Sequence, residues 1–442
     1  MKPRIVFATI VVVLSFCVLG RAQAPDAGKL DQLLNRLVEK HKAMGSLTLA
    51  RDGKVLYSRA FGYNYVTDTE KRPATTGTKY RIGSVTKTYT AVMVFQLVEE
   101  GKLKLSDTLD RFFPQIPNAK TITIAHILGH RSGIADLAPD GSWGMQRRTQ
   151  EEVVARIAQG QPRFEPDARH EYSNAAYNLL GPIVEKVGGK PYPDALKARI
   201  TSRIGLQDTY YLSSGSTDAG RNESVSYRYL DGWKEAAEVD FSVTGAAGSI
   251  VATPTDMTKF IQAVFDLKLV SAASLKQMTT IRDGEGMGME PFSSAGKTGF
   301  GHTGGSSSAG AWLAYYPEEK LALAYTTNMK IYPVKDIVNG VLDIHWNRPF
   351  EIPTFEAVEV SPDVLDKYVG VYSTAGAPVK LTITRRGNTL YFQPPGESAV
   401  PLEATAQDKF KIDPGVFFEF DAAKGQMTIK RPGGERVFTK DK

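Results

Sequence analysis

The chain has 442 residues, of which 42% are hydrophobic and 23% are charged. This composition is typical of a soluble globular protein, and the length allows more than one domain. The formal net charge of +6 is not concentrated in a basic run long enough to indicate nucleic-acid binding.

The first residues have the pattern of a secretory signal peptide. Two basic residues precede an apolar run over 5–19, which is shorter than the ~20 residues of a membrane-spanning helix. We expect cleavage after Ala22 rather than after Ala24, because Pro25 would hinder the second cut. Residues 1–22 are therefore assigned to a signal peptide, and a periplasmic or secreted protein without a membrane span is expected after cleavage. An uncleaved anchor is the alternative.

Cleavage would change both the charge and the cysteine content. It would remove three positive charges, which lowers the net charge from +6 to +3, and the only cysteine, Cys17. An exported chain without cysteine can form no disulfide bond and can use no thiolate as nucleophile or metal ligand. We therefore expect a hydrophobic core to provide its stability.

A helix, a hairpin and a second helix are predicted in the first 100 residues. Helical periodicity runs over 29–44, and alternation around Asp52-Gly53 indicates a β-hairpin. A long helix is predicted over 86–100 and ends at Gly101. Four apolar side chains of the hairpin are expected to share its buried side, namely Leu47, Leu49, Val55 and Tyr57.

Helices fill the middle of the chain and strands return towards its end. Residues 103–212 are predicted to be mostly helical, and strand patterns recur over 287–328. The first and last strands can join one antiparallel sheet with helices packed around it, which is an α+β arrangement. A proline-rich stretch at 347–362 marks a boundary. We expect a first domain at 23–350 and an all-β barrel or sandwich domain at 355–442.

Ser84 and Lys87 form a Ser-x-x-Lys pair at the start of the helix predicted over 86–100. Residues three apart share a helix face, so the lysine amine can reach the serine hydroxyl. A serine is a weak nucleophile unless a neighbouring base takes its proton, and a helix N-terminus stabilises the negative charge that develops there. The alternative is a capping serine beside a solvated lysine.

Tyr172 and Asn174 form a second candidate pair. A positive charge lowers the pKa of a nearby tyrosine, so a phenolate next to a lysine ammonium can act as a base. The amide of Asn174 can offer both a donor and an acceptor to a substrate. The alternative is a buried tyrosine and a turn asparagine.

The segment GKTGFGHTGG holds two candidate triads, one starting at Lys297 and the other at His302. A cation followed by Thr-Gly on a strand can form one wall of an acyl-transfer site. A turn expected at 293–296 leaves Lys297 away from the strand centre, whereas His302 falls inside the strand. The paired glycines after Thr303 permit close backbone approach. We therefore assign the wall to His302, Thr303 and Gly304.

Together these segments resemble the serine β-lactamase and penicillin-binding protein superfamily. The similarity is greatest to its class C branch, which includes class C β-lactamases, D-alanyl-D-alanine carboxypeptidases, D-aminopeptidases and related esterases. That branch carries Tyr-x-Asn, present here as Tyr172-Ser173-Asn174, and some of its carboxypeptidases carry His-Thr-Gly. The stretches ILGHRSGI and AAGSIVATPTDM are also similar. The resemblance covers about 30–328, and the tail resembles a small β-domain often appended to such hydrolases.

The resemblance implies a role for each catalytic group. Ser84 would attack a carbonyl and form an acyl-enzyme, while Lys87 and Tyr172 share the proton transfers. Tyr172 would later activate the deacylating water. The backbone N–H groups of Ser84 and Gly305 would form the oxyanion hole.

The resemblance also implies a set of substrate-binding residues. A histidine in place of the triad lysine weakens the attraction for a substrate carboxylate near neutral pH, since imidazole titrates near 6.5. This disfavours efficient β-lactamase activity. The residues expected to bind the substrate are Asn174, His302, Thr303 and Gly304.

The predicted function is that of an exported serine hydrolase that cleaves ester or amide bonds through a Ser84 acyl-enzyme. Small esters and D-amino-acid peptides are the candidate substrates, with cell-wall peptides suggested by the compartment. Two alternatives remain, a weak class C-type β-lactamase and a penicillin-recognising binding protein with little turnover. No metal, organic cofactor or nucleic-acid partner is expected.

Five further residues, three histidines and two tryptophans, carry weaker hypotheses. His126 and His130 have a zinc-like spacing, but no third ligand is evident, so a structural turn is favoured over a metal site. His170 either lines the cleft or lies in a loop. Trp143 and Trp233 either line the cleft or pack under loops.

Overall fold

The structure is a computed structural model. It describes residues 24–441 except 138–142, 230–231, 307, 357, 375–376, 396–398, 413–414 and 432–433. The predicted signal peptide lies outside the described residues, so its cleavage stays a prediction. Within the described ranges, no helix has the length and apolar character that crossing a membrane requires.

Along the sequence, most helices come between the first and the last strands of the main sheet. The α-helices in the described part of the chain are α1 (Ala27–Glu39), α2 (Thr86–Glu99), α3 (Ile124–Leu128), α4 (Gln150–Ala158), α5 (Asn174–Gly188), α6 (Tyr192–Leu196), α7 (Ser202–Ile204), α8 (Phe241–Gly248), α9 (Pro254–Phe265), α10 (Ala272–Thr279), α11 (Val334–His345) and α12 (Pro362–Leu365).

Strands fall into a main group and a C-terminal group. The first comprises β1 (Ala43–Arg51), β2 (Lys54–Phe61), β3 (Tyr63–Val66), β4 (Lys71–Pro73), β5 (Tyr80–Arg81), β6 (Tyr210–Tyr211), β7 (Tyr227–Tyr229), β8 (Trp233–Glu235), β9 (Ile250–Ala252), β10 (Glu290–Ser294), β11 (Lys297–Gly305), β12 (Gly310–Tyr316) and β13 (Leu321–Lys330). The second comprises β14 (Gly370–Thr374), β15 (Ala377–Arg386), β16 (Thr389–Gln393), β17 (Val400–Pro401), β18 (Glu403–Ala406), β19 (Lys409–Ile412), β20 (Val416–Asp421), β21 (Gln426–Arg431) and β22 (Gly434–Lys440).

The main sheet joins the two ends of the catalytic region, which confirms the predicted α+β arrangement. Its six strands follow the antiparallel order β10-β11-β12-β13-β1-β2. β1 lies against β13, so that Leu47 faces Tyr325 and Leu49 faces Leu323. β1 and β13 are far apart in the sequence, so their pairing constrains the position of the helical region that lies between them in the chain.

The hairpin prediction was wrong about Val55, whose exposed fraction is 51%. Leu49 pairs with Tyr57, but the neighbouring Ala50 pairs with Val55, so one extra residue is accommodated in β2. A bulge of this kind breaks the strict alternation of faces. The helix predicted over 29–44 also ends earlier, at Glu39, because Ala43 and Met44 already belong to β1.

Helices cover both faces of the main sheet. On one face, α1 and α11 contribute a row of leucine, valine and isoleucine side chains to a buried cluster with β1, β2 and β13. On the other face, a larger cluster joins the sheet to α2, α5 and α9. Every residue of α2 from Thr86 to Leu97 is buried. Full burial of each large aliphatic side chain stabilises the fold by about 1.5–3 kcal/mol, so α2 is firmly anchored.

The C-terminal region confirms the predicted all-β architecture. Nine strands form one antiparallel sheet in the order β17-β16-β15-β14-β22-β21-β20-β19-β18. Tyr368 and Tyr372 belong to the buried cluster of this sheet, Phe392 packs against that cluster, and Tyr391 is buried as well. An ion pair between Lys42 and Glu403 connects this sheet to the start of β1. The exact domain limits stay a prediction.

Candidate active site

Ser84 lies in a 3₁₀ turn, Gly83–Val85, that leads directly into α2. The turn packs backbone to backbone against the end of β11. A Cβ atom on Gly304 would lie 2.0 Å from the Ile82 carbonyl oxygen, and one on Gly83, whose φ is +52°, would lie 2.6 Å from the Gly305 nitrogen. Glycine is therefore required at both positions, because any side chain would push Ser84 away from the strand.

Lys87 lies in the first turn of α2 and is completely buried. Its Nζ is 2.9 Å from Ser84 Oγ, 2.7 Å from Asn174 Oδ1 and 3.1 Å from the Ala247 carbonyl oxygen. These three acceptors match the three donors of an ammonium. Burial nevertheless lowers the pKa of Lys87 to about 7. A substantial fraction of the amine is therefore neutral at physiological pH and able to take the serine proton.

Tyr172 lies on the other side of the Ser84–Lys87 pair. Its ring centroid is 4.7 Å from Lys87 Nζ. Burial raises the pKa of Tyr172, and its hydrogen bond with Ser84 opposes that shift only in part. The sequence argument expected a lowered pKa from the lysine charge, and this was wrong in direction because desolvation dominates and nearby carboxylates, Glu285 first among them, raise the pKa further. In the free protein Tyr172 is a neutral phenol that can relay a proton.

Asn174 begins α5, which Ser173 caps through a hydrogen bond from the Ala176 N–H. Its amide nitrogen donates to Asp136 Oδ2 at 2.9 Å, so its oxygen is turned towards Lys87. Asp136 also accepts the Ala175 N–H at 2.8 Å. The sequence analysis missed Asp136, which follows the ILGHRSGI stretch closely but carries no motif of its own.

The structure separates the two candidate triads. Lys297 lies at the first residue of β11, where its Nζ is 2.5 Å from Glu319 Oε1. His302 lies near the opposite end of the strand, and its ring centroid is 6.3 Å from that of Tyr172. His302 is fully buried, and this burial lowers its pKa. The imidazole next to Tyr172 is therefore neutral at physiological pH.

Thr303 and Gly305 face different surroundings. Thr303 donates its backbone N–H to Glu290 Oε2 and its hydroxyl to Glu290 Oε1, each at 3.0 Å. Gly305 lies beside Ser84 at the mouth of a cleft. Ser84 and Gly305 line the same cleft, and the prediction that their backbone N–H groups form the oxyanion hole stays a prediction. Sequence reasoning did not identify Glu290 as a partner of Thr303.

The cleft next to Ser84 has a volume of about 260 Å³. Asn174, Asp136 and Trp143 form part of its wall, with apolar groups from α8 and from the segment before it. Trp143 therefore lines the cleft. Trp233 does not, because its ring contacts Tyr229 at 5.1 Å between centroids, in a separate aromatic cluster.

A group of titratable side chains lies behind Tyr172. The His130 ring stacks on Tyr172 with centroids 4.2 Å apart, and its Nδ1 accepts the Ser173 N–H. Glu285 Oε2 is 2.9 Å from His170 Nε2, while Glu285 Oε1 is 3.5 Å from His130 Nε2 and 3.9 Å from His302 Nε2. Burial raises the pKa of Glu285 to about 8. We call Glu285, His130, His170 and His302 the histidine cluster.

The positions of His170 and His126 bear on two earlier hypotheses. His170 contacts Glu285 and is not among the described residues that line the cleft. His126 caps the start of α3 together with Thr123. Within the described ranges, no set of three His, Cys, Asp or Glu side chains is arranged to hold a metal ion. Glu285 itself could not be found from the sequence, since nothing around it signals a catalytic site.

Known proteins are similar to this chain in sequence. The sequence profile of the Beta-lactamase family matches residues 30–342. Penicillin-binding protein 4* of Bacillus subtilis (strain 168) is 25% identical over 414 residues, which span 86% of this chain and 90% of that protein. Esterase EstB of Burkholderia gladioli is 28% identical over 229 residues, 47% of this chain, and the match spans 56% of the esterase.

Solved structures share the fold. A D-amino acid amidase from Ochrobactrum anthropi SV3, solved with L-phenylalanine amide, superposes with a TM-score of 0.64 at 27% identity and covers 72% of this chain and 98% of its own. An octameric penicillin-binding protein homologue from Pyrococcus abyssi superposes with the same TM-score of 0.64 at 24% identity and covers 94% of this chain. The chain belongs to the Beta-lactamase family and is an enzyme of the serine hydrolase class.

Proposed function

We propose that this enzyme cleaves ester or amide bonds through an acyl-enzyme formed on Ser84. The observation that carries the proposal is the contact of 2.9 Å between Ser84 Oγ and the buried amine of Lys87. Because burial brings the pKa of Lys87 to about 7, the amine can accept a proton at physiological pH. A serine next to such a base is an activated nucleophile.

The proton transfers follow from the contacts around Ser84. Neutral Lys87 takes the hydroxyl proton as Ser84 Oγ attacks the substrate carbonyl. The negative charge on the carbonyl oxygen is held by the N–H groups of Ser84 and Gly305. Tyr172 then delivers a proton to the leaving oxygen or nitrogen, and Lys87 replaces that proton. In the second half, a water attacks the ester, gives its proton to the same pair, and Ser84 is regenerated.

The substrate class is proposed from the cleft and from the relatives. The cleft of about 260 Å³ suits an acyl group of modest size with an apolar side chain. EstB is an esterase and the Ochrobactrum enzyme is a D-amino acid amidase, so small esters and D-amino-acid amides or peptides are the substrates that we propose. Cell-wall peptides would fit an exported enzyme.

Replacing the nucleophile tests the proposal. Ser84→Ala should abolish hydrolysis of a p-nitrophenyl ester, and intact-mass measurement of the wild type during turnover should show an acyl adduct that the variant lacks. Ser132→Ala is the matched control, because Ser132 is buried, is not among the described residues that line the cleft, and accepts the Ile134 N–H with its hydroxyl. Hydrolysis at an unchanged rate in Ser84→Ala would refute the proposal.

A second candidate function rests on one relative. The similarity to penicillin-binding protein 4* spans 86% of this chain, so acylation by penicillins, with weak hydrolysis or none, is the alternative. A lasting penicillin adduct on Ser84 would support a penicillin-binding protein, whereas turnover of a chromogenic cephalosporin would support a weak β-lactamase. Rapid ester cleavage without a lasting penicillin adduct would favour the first proposal.

We further propose that the enzyme is exported. The support is the basic and apolar pattern of residues 1–22. Expression of the full chain with subcellular fractionation should give a mature protein in the periplasm or medium whose mass corresponds to a chain beginning at Gln23. A full-length mass in the membrane fraction would instead indicate an uncleaved anchor.

A further inference from the structure

The end of β11 next to Ser84 extends beyond its neighbouring strand β10. β10 begins at Glu290, which pairs with Gly301. Beyond that point, residues 302–305 have β12 on one side and no partner strand from β10 on the other. An exposed strand edge presents unpaired backbone N–H groups, which can bind a peptide or an anion.

A carboxylate of the chain itself occupies this edge. Glu290 accepts the Thr303 N–H on one oxygen and the Thr303 hydroxyl on the other, each at 3.0 Å. Glu290 Oε1 is also 3.5 Å from His302 Nδ1. The side chain of Glu290 keeps 24% of its surface exposed. The donors that could have held a carboxylate from a substrate are therefore already used, and a negative charge stands in their place.

The leaving group of a substrate should point towards Glu290. The cleft beside Asn174 and Trp143 is the space available for the acyl group. The two parts of a substrate extend in opposite directions from the scissile carbonyl. With the acyl part in the cleft, the leaving group lies on the side of Tyr172, which is also where the proton donor must be. Glu290 is 3.5 Å from the ring of His302, whose centroid is 6.3 Å from that of Tyr172, so Glu290 lies on that side.

Fixed positive charge is scarce on this side of Ser84. Burial lowers the pKa of His130 and of His302, so both rings are neutral at physiological pH. Lys297 is paired with Glu319 at the far end of β11. Lys330 is the cation to consider, since its Nζ approaches Gly305 at the end of the strand, where Glu238 partly balances it.

We propose that Glu290 is a specificity-determining residue that makes the enzyme discriminate against substrates whose leaving group carries a carboxylate. The inference rests on the proposed acyl transfer at Ser84. Like charges a few ångströms apart repel strongly where water is partly excluded. Esters and amides with neutral leaving groups would be favoured over peptides with a free carboxyl terminus. The neutral His302 removes an attraction for such a carboxylate, and Glu290 adds a repulsion.

Two esters with the same acyl group test this inference. One is p-nitrophenyl acetate, and the other is the same ester with a carboxylate beside the nitro group. The readout is the ratio of kcat/KM for the neutral and the charged ester, which does not depend on the fraction of correctly folded enzyme. Glu290→Gln keeps an acceptor for Thr303 but removes the charge. Glu318→Gln, at an exposed residue, is the matched control for net charge.

The wild type should prefer the neutral ester, and Glu290→Gln should lower that preference by about tenfold or more. Raising the salt concentration should lower the wild-type ratio of kcat/KM for the neutral over the charged ester, because salt screens the charge of the partly exposed Glu290 side chain. Glu318→Gln should leave the ratio unchanged. An unchanged ratio in Glu290→Gln would overturn the inference, as would a wild-type preference for the charged ester that Lys330→Met abolishes.

The same measurements separate this inference from the proposed function. Ester cleavage that persists in Ser84→Ala would mean that the acyl-transfer proposal has failed, and the Glu290 inference with it. Ester cleavage that depends on Ser84, with a ratio insensitive to Glu290, would leave the proposed function intact and overturn only the role of Glu290.

Discussion

The two sides of Ser84 differ in what they are made of. Towards Asn174 lies an open cleft with mostly apolar walls, whereas towards Tyr172 the space is filled by the histidine cluster and Glu290. The first side can select a substrate by shape. The second can act through charge and protons. The comparison shows that burial sets the pKa values on the second side, because it makes Lys87 less basic and Glu285 less acidic than either is in water.

The largest expected effect is that of removing Lys87, which both sides share. Lys87→Met should lower kcat by about 10³-fold or more, since the serine loses its general base. In the wild type, kcat/KM should rise with pH through a midpoint near 7, because the neutral amine is the active form and the pKa of Lys87 is about 7. A midpoint near 10, measured with a neutral ester, would contradict the assigned base.

Next in size is the contrast between the two triads. His302→Ala should reduce kcat/KM by about 10- to 100-fold, because it leaves a cavity beside Tyr172 and loosens the strand that carries Gly305. Lys297→Ala serves as the control and should leave activity nearly intact, since its ion pair with Glu319 lies at the other end of β11. Parallel ester assays of the two variants decide the assignment, and the reverse pattern would show that Lys297 forms the wall.

A smaller effect is expected on the cleft side. Asp136→Asn replaces an acceptor of two N–H groups by a group that can also donate, so Asn174 loses its fixed orientation. We expect kcat/KM to fall by about tenfold, which corresponds to one hydrogen bond of about 1.4 kcal/mol. A lower kcat/KM in steady-state assays, together with an unchanged melting temperature, would show that the substitution acts at the site and not on the fold. An equal loss in Asp194→Asn, on the surface helix α6, would indicate a general charge effect instead.

The last expected effect is on stability rather than on activity, and it arises in the histidine cluster. Burial raises the pKa of Glu285 to about 8, above the ~4.3 of an unfolded glutamate, so the folded state holds a proton that the unfolded state releases. Stability from this group is fully present below pH ~4 and is lost as pH rises towards 8. Glu285→Gln should therefore lose about 3 kcal/mol less stability than the wild type between pH 5 and 8, since each pH unit in which only the folded state holds the proton costs about 1.4 kcal/mol. Parallel pH curves in urea unfolding would contradict this.

Local patterns in the sequence account for part of the site. Ser84 and Lys87 could be predicted because helix geometry brings residues three apart together, and His302 because a turn excludes Lys297. Asp136, Glu285 and Glu290 could not, because each reaches the site from a different loop or strand end and depends on the assembled fold. The pKa of Tyr172 was mispredicted for the same reason, since desolvation cannot be judged before the packing is known.

The fold, like the site, has features that local sequence patterns predict and features that depend on the assembled structure. Both ends of the main sheet and the all-β tail were predictable, because alternation and turn residues are local signals. The exposure of Val55 was not, since a bulge beside Ala50 changes which face it occupies. The partnership of Thr303 with Glu290 required knowing where β10 begins.

The complete burial of α2 has a consequence for how this enzyme can diverge. The nucleophile and its base stand on the best protected helix of the molecule, whose amides should exchange with deuterium only on global unfolding. The cleft walls come instead from loops and short segments around Asp136, Trp143 and Val239. Mutations there can change the acceptable acyl group without disturbing the helix. New substrate ranges are therefore accessible to this scaffold in single steps, while the reaction itself is inherited unchanged.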